Sequence, residues 1–286
     1  MKIAIIGAQG QLGCDVHKAF DSAGDNVFPL SHTEVEITNI DSVAKCLKAI
    51  RPALIVNTAA FTNVPLCETC KDEAFLINAE GAKNVACIAR DIRARLFHIS
   101  TDYVFDGKGK RPYVESDKTG PISVYGATKL AGENFIKAVA ERYCILRVSG
   151  IYGKHPCRGK SGDNFVEMML RYAREKDEVR VVDDEILTPT ATVEIARQIV
   201  VLKETEDFGI FHATAEGHCS WYEFAREIFR VMNIKTQLSK ADPGEFSSVV
   251  KRPKYSVLEN KRLKDAQRNI FRHWKDGISE YLKERA

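Results

Sequence analysis

Met1-Lys2-Ile3-Ala4-Ile5-Ile6-Gly7-Ala8-Gln9-Gly10-Gln11-Leu12-Gly13 opens the chain, and its reading decides the fold. Lys2 to Ile6 is a short apolar run stopped by Gly7, the pattern of a strand buried on both faces. From Gln11 to Ala23 the apolar residues Leu12, Val16, Ala19 and Phe20 fall at helical spacing, and Gly24 closes the segment. Between strand and helix stands G-x-x-G-x-x-G. Glycine there permits a tight turn and lets backbone approach a pyrophosphate, and the helix N-terminus adds free N–H groups and a favourable dipole. At a first strand–helix junction, this spacing makes Gly7, Gln9, Gly10, Gln11, Leu12 and Gly13 candidate dinucleotide-binding residues.

Outward from that junction the alternation continues. Strands are predicted at 26–30, 53–57, 94–100 and 144–148, and helices at 41–50 (with Asp41 as N-cap), 81–92 and 124–139. Such alternation means a doubly wound parallel α/β sheet, Rossmann-type, with sites at the carboxyl ends of its strands. After about Gly150 the pattern loosens. Helices are predicted at 163–175, 193–203 and 221–232, the last opened by a Ser220/Glu223 capping box, with strands at 179–182 and 209–212. The expected organisation is a dinucleotide-binding domain over 1–150 and a smaller α/β substrate lobe over 151–286 that partly returns to the main sheet. Trp221 and Trp274 read as packing residues on amphipathic helices.

Composition narrows the class. Across 286 residues, 44% are hydrophobic, 28% are charged and the net charge is +3, as in an ordinary soluble globular protein. No basic run marks a nucleic-acid partner, and no apolar stretch is long enough for a membrane span. The N-terminal apolar run breaks too soon for a secretory signal, so a cytoplasmic location is expected. The eight cysteines then read as free thiols, and the lone Cys67-x-x-Cys70 lacks the second ligand pair that zinc requires, so no metal is expected.

Two further segments carry chemistry. The second strand ends Leu30-Ser31-His32, where an acid would bind the adenosine ribose 2′-hydroxyl; Ser31 and His32 instead favour NADPH slightly, with NADH as the other option. Tyr125-Gly126-Ala127-Thr128-Lys129 places a phenol and an ammonium on one helix face, where the charge is expected to lower the phenol's pKa and suit it to proton transfer. Upstream, Ser100 and Thr101 come off a predicted strand and supply hydroxyls that could hold a carbonyl oxygen.

Together these segments resemble the dTDP-4-dehydrorhamnose reductase family of extended short-chain dehydrogenases, in which G-x-x-G-x-x-G is the usual glycine spacing. The resemblance runs almost the whole chain. It is carried by the glycine loop, 57–62 (NTAAFT), 78–83 (NAEGAK), 100–107 (STDYVFDG), Tyr125 to Lys129, Asn164-Phe165, 188–190 (TPT), Arg252-Pro253 and 256–258 (SVL). It implies NAD(P)H-dependent reduction of the C4 keto group of a nucleotide-linked deoxysugar, with dTDP-4-dehydro-L-rhamnose as the expected substrate. By resemblance, Thr101, Tyr125 and Lys129 are the catalytic residues, and Lys129 also holds the nicotinamide ribose. Ala59 and Ala60 line the cofactor cleft, and Asp102, Tyr103, Asn164 and Arg252 border the substrate. A homodimer is compatible with this reading.

The chain departs from the family at two points: Val64-Pro65 replaces Val-Asp, and Gly150 stands where a Trp usually packs on the sugar. A sugar-nucleotide epimerase or dehydratase uses the same cofactor loop and Tyr/Lys pair, but dehydratases place Asp-Glu after the threonine where this chain has Asp102-Tyr103. The regulatory subunit of methionine adenosyltransferase shares the motif set without catalysis, and the Gly150 departure keeps that alternative open.

Overall fold

The computed structural model describes residues 1–157, 162–242, 244–245 and 250–285. In the first half, strands β1 (Lys2–Ile6), β2 (Asn26–Leu30), β3 (Leu54–Asn57), β4 (Arg95–Thr101) and β5 (Tyr143–Val148) alternate with helices α1 (Gln11–Ser22), α2 (Ile40–Ile50), α3 (Val64–Thr69), α4 (Lys71–Phe75), α5 (Ala82–Asp91) and α6 (Val124–Val139). A π-helical turn, Leu76–Gly81, joins α4 to α5.

The second half holds β6 (Ile151–Tyr152), α7 (Phe165–Glu175), β7 (Glu178–Val181), β8 (Ile186–Leu187), β9 (Thr190–Ala191), α8 (Thr192–Lys203), β10 (Gly209–His212), β11 (Cys219–Ser220), α9 (Trp221–Val231), β12 (Gln237–Lys240), α10 (Lys261–Asp265) and α11 (Trp274–Lys283). No helix among the described residues is long and apolar enough to cross a membrane.

Six strands form one sheet in the order β10-β5-β4-β3-β1-β2, every neighbouring pair parallel. This is the doubly wound α/β architecture that the alternation predicts. The inner strands β1 and β3 are apolar along nearly their whole length because both faces are covered. Ile3 and Ile5 point into a core with Val16 and Phe20 of α1 and Ile195 and Ile199 of α8. Ala4 and Ile6 point the other way, into Val43 and Leu47 of α2, Val85 of α5 and Ile136 of α6. A separate core gathers Tyr152, Met169, Phe224, Trp274 and Ile278 below the second half.

Local signals explain the helix ends, with one correction. Asn39, not Asp41, caps α2: its side chain accepts the N–H groups of Asp41 and Ser42, because the helix begins one residue earlier than the apolar pattern suggests. At α9 the Ser220/Glu223 capping box is present in both directions. The helices at 64–75 are absent from the periodicity because they are only one to two turns long. Asn63 caps the first and Pro65 occupies its opening turn, a position where the missing N–H costs nothing.

The chain leaves β1 for β2 on one side and returns to β3 on the other, so the crevice between β1 and β3 is the switch point where ligands bind in such sheets.

Candidate active site

One cavity of about 770 Å³ opens along the carboxyl edge of the sheet. Its wall includes the glycine loop, Ser31, His32, Ala59, Ala60, Thr101, Asp102, Tyr103, Tyr125, Lys129 and Asn164. Every site residue expected from sequence except Arg252 therefore faces a common space.

At the switch point the backbone is packed too closely for side chains. Gly7 has φ +78°, and a Cβ there would stand 2.8 Å from both Ala59 N and Thr58 Oγ1. Thr58 ties β3 to this turn by donating to the carbonyls of Ile6 at 2.9 Å and Gly7 at 3.1 Å. Gly10 is the N-cap of helix α1 and offers no side-chain cap, which leaves the first N–H groups of the helix to a ligand. An uncapped helix N-terminus beside a side-chain-free turn fits a dinucleotide pyrophosphate.

Past β2 the cleft is more acidic than its spacing implied. Ser31 donates through N and Oγ to Glu34 Oε2, each at 2.7 Å. His32 Nδ1 lies 3.0 Å from Glu36 Oε2, and Glu36 itself lines the cavity. Hydrogen bonds from Ser31 hold the Glu34 carboxyl below its ordinary range. The acids that sequence reasoning passed over at 34 and 36 thus fold back to the end of β2.

Helix α6 carries the working face. Ser123 caps it, accepting Gly126 N–H at 3.2 Å, and Glu68 of α3 accepts the N–H of Val124 at 2.8 Å. The helix lies against the turn 102–104 so closely that a Cβ on Gly126 would sit 2.2 Å from Tyr103 O. That approach sets Tyr125 edge-on to Tyr103, with ring centroids 5.6 Å apart, and within hydrogen-bonding reach of Thr101.

Asp102 is buried, and among the described residues no cation pairs with it. It accepts from Thr101 Oγ1 at 3.0 Å and from Ser149 Oγ at 2.9 Å, and Ser256 hydrogen-bonds to it as well. Burial raises its pKa in spite of these hydroxyls. Ser100, the other hydroxyl candidate, is drawn away: it donates to Glu133 Oε1 at 2.5 Å, within a buried ion pair in which Arg147 grips both Glu133 oxygens at 3.0 and 2.7 Å. Thr101 is therefore the hydroxyl that remains with Tyr125.

Electrostatics correct one expectation. Tyr125 is not lowered by Lys129; burial pushes the phenol up. Lys129 shares the helix face, but its Nζ donates to Ile99 O at 2.7 Å and lies 3.2 Å from His98 Nε2. Burial lowers its pKa to about 8. The amine is anchored in β4 rather than against the phenol, and burial, not the neighbouring charge, decides the direction of the tyrosine's shift.

At the far end of the cavity several residues differ from expectation. Asn164 lines it, but its polar atoms cap α7 through Glu167 N at 3.1 Å and reach Gly153 O at 2.9 Å. Arg252 is exposed and outside the wall, although its charge acts on Tyr103 and Glu185. Its neighbours Pro253 and Ser256 form the wall instead.

Trp221, read as packing, also faces the cavity and donates from Nε1 to Glu185 Oε2 at 3.2 Å. Gly150, at φ +52°, leaves no void: Leu187 Cδ1 lies 2.7 Å from where its Cβ would be. Leu187 and Glu185 carry no motif, and neither was expected at the site.

Cys67 is buried with its thiol pushed up to about 11 by desolvation, which makes it a poor nucleophile. No disulfide links the eight cysteines.

A six-stranded parallel sheet with a side-chain-free turn at its switch point, and a Tyr-x-x-x-Lys helix beside it, defines a short-chain dehydrogenase-type oxidoreductase. The RmlD substrate binding domain family matches residues 1–286. The spore coat polysaccharide biosynthesis protein SpsK of Bacillus subtilis is 39% identical over 285 residues, covering 100% of this chain and 98% of its own. A crystal structure of a dTDP-4-dehydrorhamnose reductase from Clostridium acetobutylicum superposes with TM-score 0.95 at 42% identity over 99% of both chains. That of a dTDP-4-dehydrorhamnose reductase from Bacillus anthracis, in complex with NADP, gives 0.94 at 36% identity, again over 99% of both. The chain belongs to the dTDP-4-dehydrorhamnose reductase family, whose members are NAD(P)-dependent oxidoreductases.

Proposed function

We propose that this protein reduces the C4 keto group of a nucleotide-linked deoxysugar, dTDP-4-dehydro-L-rhamnose to dTDP-L-rhamnose, with NADPH as the preferred and NADH as the secondary coenzyme. The observation that carries the reading is the convergence of Thr101, Tyr125 and Lys129 on the same cavity as the glycine loop. The NADP-bound relative supports the coenzyme.

Gly7 to Gly13 hold the pyrophosphate, Ser31 and His32 face the adenosine ribose, Ala59 and Ala60 leave room along the cleft, and Lys129 holds the nicotinamide ribose. When bound, the reduced nicotinamide supplies the hydride. Thr101 fixes the substrate carbonyl by turning its single hydroxyl proton from Asp102 Oδ1 to the substrate oxygen. Tyr125, kept protonated by burial, delivers its proton to the oxygen as charge develops there. Tyr103 and Asp102 border the sugar, and Arg252 stands near the nucleotide end.

The test is oxidation of NADPH by the purified protein with enzymatically prepared dTDP-4-dehydro-L-rhamnose, with NADH in parallel. Rapid oxidation that yields dTDP-L-rhamnose supports the reading. Intact NADPH binding with no oxidation moves the assignment to another keto sugar or to a non-catalytic role.

A further inference from the structure

The cavity wall is poor in positive charge. It carries the carboxyls of Glu36, Glu73, Asp102 and Glu185, and among the described residues its only lysine or arginine is Lys129. The wall alone therefore gives a polyanionic ligand no long-range attraction.

Positive charge stands instead on the rim at the substrate end. Gly107 lies so close to Pro253 that a Cβ on it would be 2.5 Å from Pro253 Cα. Tyr255 N–H donates to Gly107 O at 3.2 Å, Ile186 N–H to Lys254 O at 2.8 Å, and Ser256 N–H to Ile186 O at 2.8 Å. These bonds hold segments 107–111, 251–256 and 185–187 side by side, and the last two give Pro253, Ser256, Glu185, Ile186 and Leu187 to the wall. The cations of this rim are Lys108, Lys110, Arg111, Lys251, Arg252 and Lys254, all exposed.

Two of them are neutralised locally. Arg111 Nη2 lies 2.8 Å from Asp117 Oδ1, and Lys254 pairs with Asp184. Lys108, Lys110, Lys251 and Arg252 pair with no carboxylate among the described residues. Their field is not confined to solvent, since the charge of Arg252 acts on Tyr103 and Glu185 in the wall. Past β2 the sign reverses. No lysine or arginine occurs from 19 to 44 in the sequence, whereas Glu34 and Glu36 follow Ser31 and His32 directly.

We propose that Lys108, Lys110 and Lys251, together with Arg252, form an electrostatic collar that captures the diphosphate of the sugar-nucleotide substrate and steers it into the cavity, while the coenzyme enters without this help. The collar rests on the reading of the cavity as a nucleotide-sugar reductase site. Exposed charges attract an approaching polyanion over many ångströms yet contribute little once it is in place, so their effect falls on the on-rate.

The test is stopped-flow association of dTDP, and separately of NADPH, with the full chain, read by the fluorescence of Trp221 in the cavity wall. Salt is varied from about 0.01 M to about 1 M, which shortens the screening length from about 30 Å to about 3 Å. The dTDP on-rate is expected to fall at least about tenfold over that range, and the NADPH on-rate distinctly less. Lys108→Gln/Lys110→Gln/Lys251→Gln should slow dTDP association about five- to tenfold at low salt and converge with wild type at high salt, the loss lying in the on-rate and not the off-rate. Lys45→Gln/Lys137→Gln/Lys235→Gln removes the same net charge from exposed positions outside the wall, and should leave the dTDP on-rate within about twofold of wild type. A wild-type dTDP on-rate insensitive to salt, or equal slowing by the two triple variants, overturns the collar. Steered dTDP association in a protein that turns over no keto sugar sinks the functional reading alone. Turnover of the keto sugar with unsteered association sinks the collar alone, and a chain that binds no dTDP overturns both.

Discussion

Gly13 stands against Gly7 so closely that a Cβ on Gly13 would lie 2.3 Å from the Gly7 carbonyl oxygen and 2.8 Å from Ala8 Cα. Both obstacles are backbone, so neither can rotate away. Gly13→Ala is expected to push α1 off the loop, destabilise the protein by about 1–3 kcal/mol, and weaken NADPH binding at least about tenfold. Thermal denaturation and a coenzyme titration check both. A variant of unchanged affinity would show that the first turn of α1 does not form the pyrophosphate site.

Removal of the phenol oxygen separates chemistry from binding. Tyr125→Phe keeps the ring against Tyr103 but has no proton to give. Turnover should fall by roughly 10²–10⁴-fold while NADPH affinity barely moves. Single-turnover rates alongside coenzyme titration read the two quantities separately, and near-normal turnover would remove Tyr125 from the mechanism.

The buried carboxyl of Asp102 makes a pH-dependent prediction. Its pKa is raised in the folded protein, so over that interval the folded state holds a proton that the unfolded chain has released. Stability therefore falls as pH rises from the ordinary carboxylate range through the raised value. Asp102→Asn abolishes that loss. Relative to wild type it should melt higher in mildly alkaline buffer, with the advantage shrinking as the pH drops below the ordinary carboxylate range. Turnover should fall roughly 10- to 100-fold because the amide accepts at one oxygen only, and the Thr101, Ser149 and Ser256 hydroxyls must rearrange around it. Parallel melting profiles across pH are the check; a pH-independent difference would contradict the argument.

Coenzyme choice turns on the end of β2. Glu36 lines the cavity with one oxygen facing His32 and the other accepting from Thr38 N at 2.9 Å and Oγ1 at 2.8 Å. A carboxylate there opposes a 2′-phosphate. Glu36→Gln should raise the ratio of NADPH to NADH efficiency by roughly fivefold, about 1 kcal/mol. Initial rates with both coenzymes would show it, and a shift towards NADH would place the ribose elsewhere.

The parallel sheet was legible because β1 and β3 are apolar runs buried on both sides and Gly7 and Gly24 fall where an element ends. The site was legible wherever a turn or a helix period forces the placement, as at Gly7, Gly13, Tyr125 and Lys129. It was not legible where a side chain acts across the fold. Nothing near Glu68 indicates that it receives the N–H of Val124, 56 residues later. Trp221 obeys the helical period of α9 yet points into the cavity, since periodicity tells which face is apolar and not what that face meets. The expected lowering of Tyr125 failed for the same reason: spacing brings two side chains to one face, but the fold buries the phenol and draws the lysine tip to Ile99 O on β4.

Gly150 and Leu187 show how one substitution constrains another. Because Leu187 Cδ1 lies 2.7 Å from where a Cβ at 150 would stand, beside a backbone at φ +52°, a side chain at 150 obliges Leu187 to move, and Leu187 is itself part of the cavity wall. Changes at 150 and 187 are therefore non-additive: the effect of either depends on which residue the other position holds.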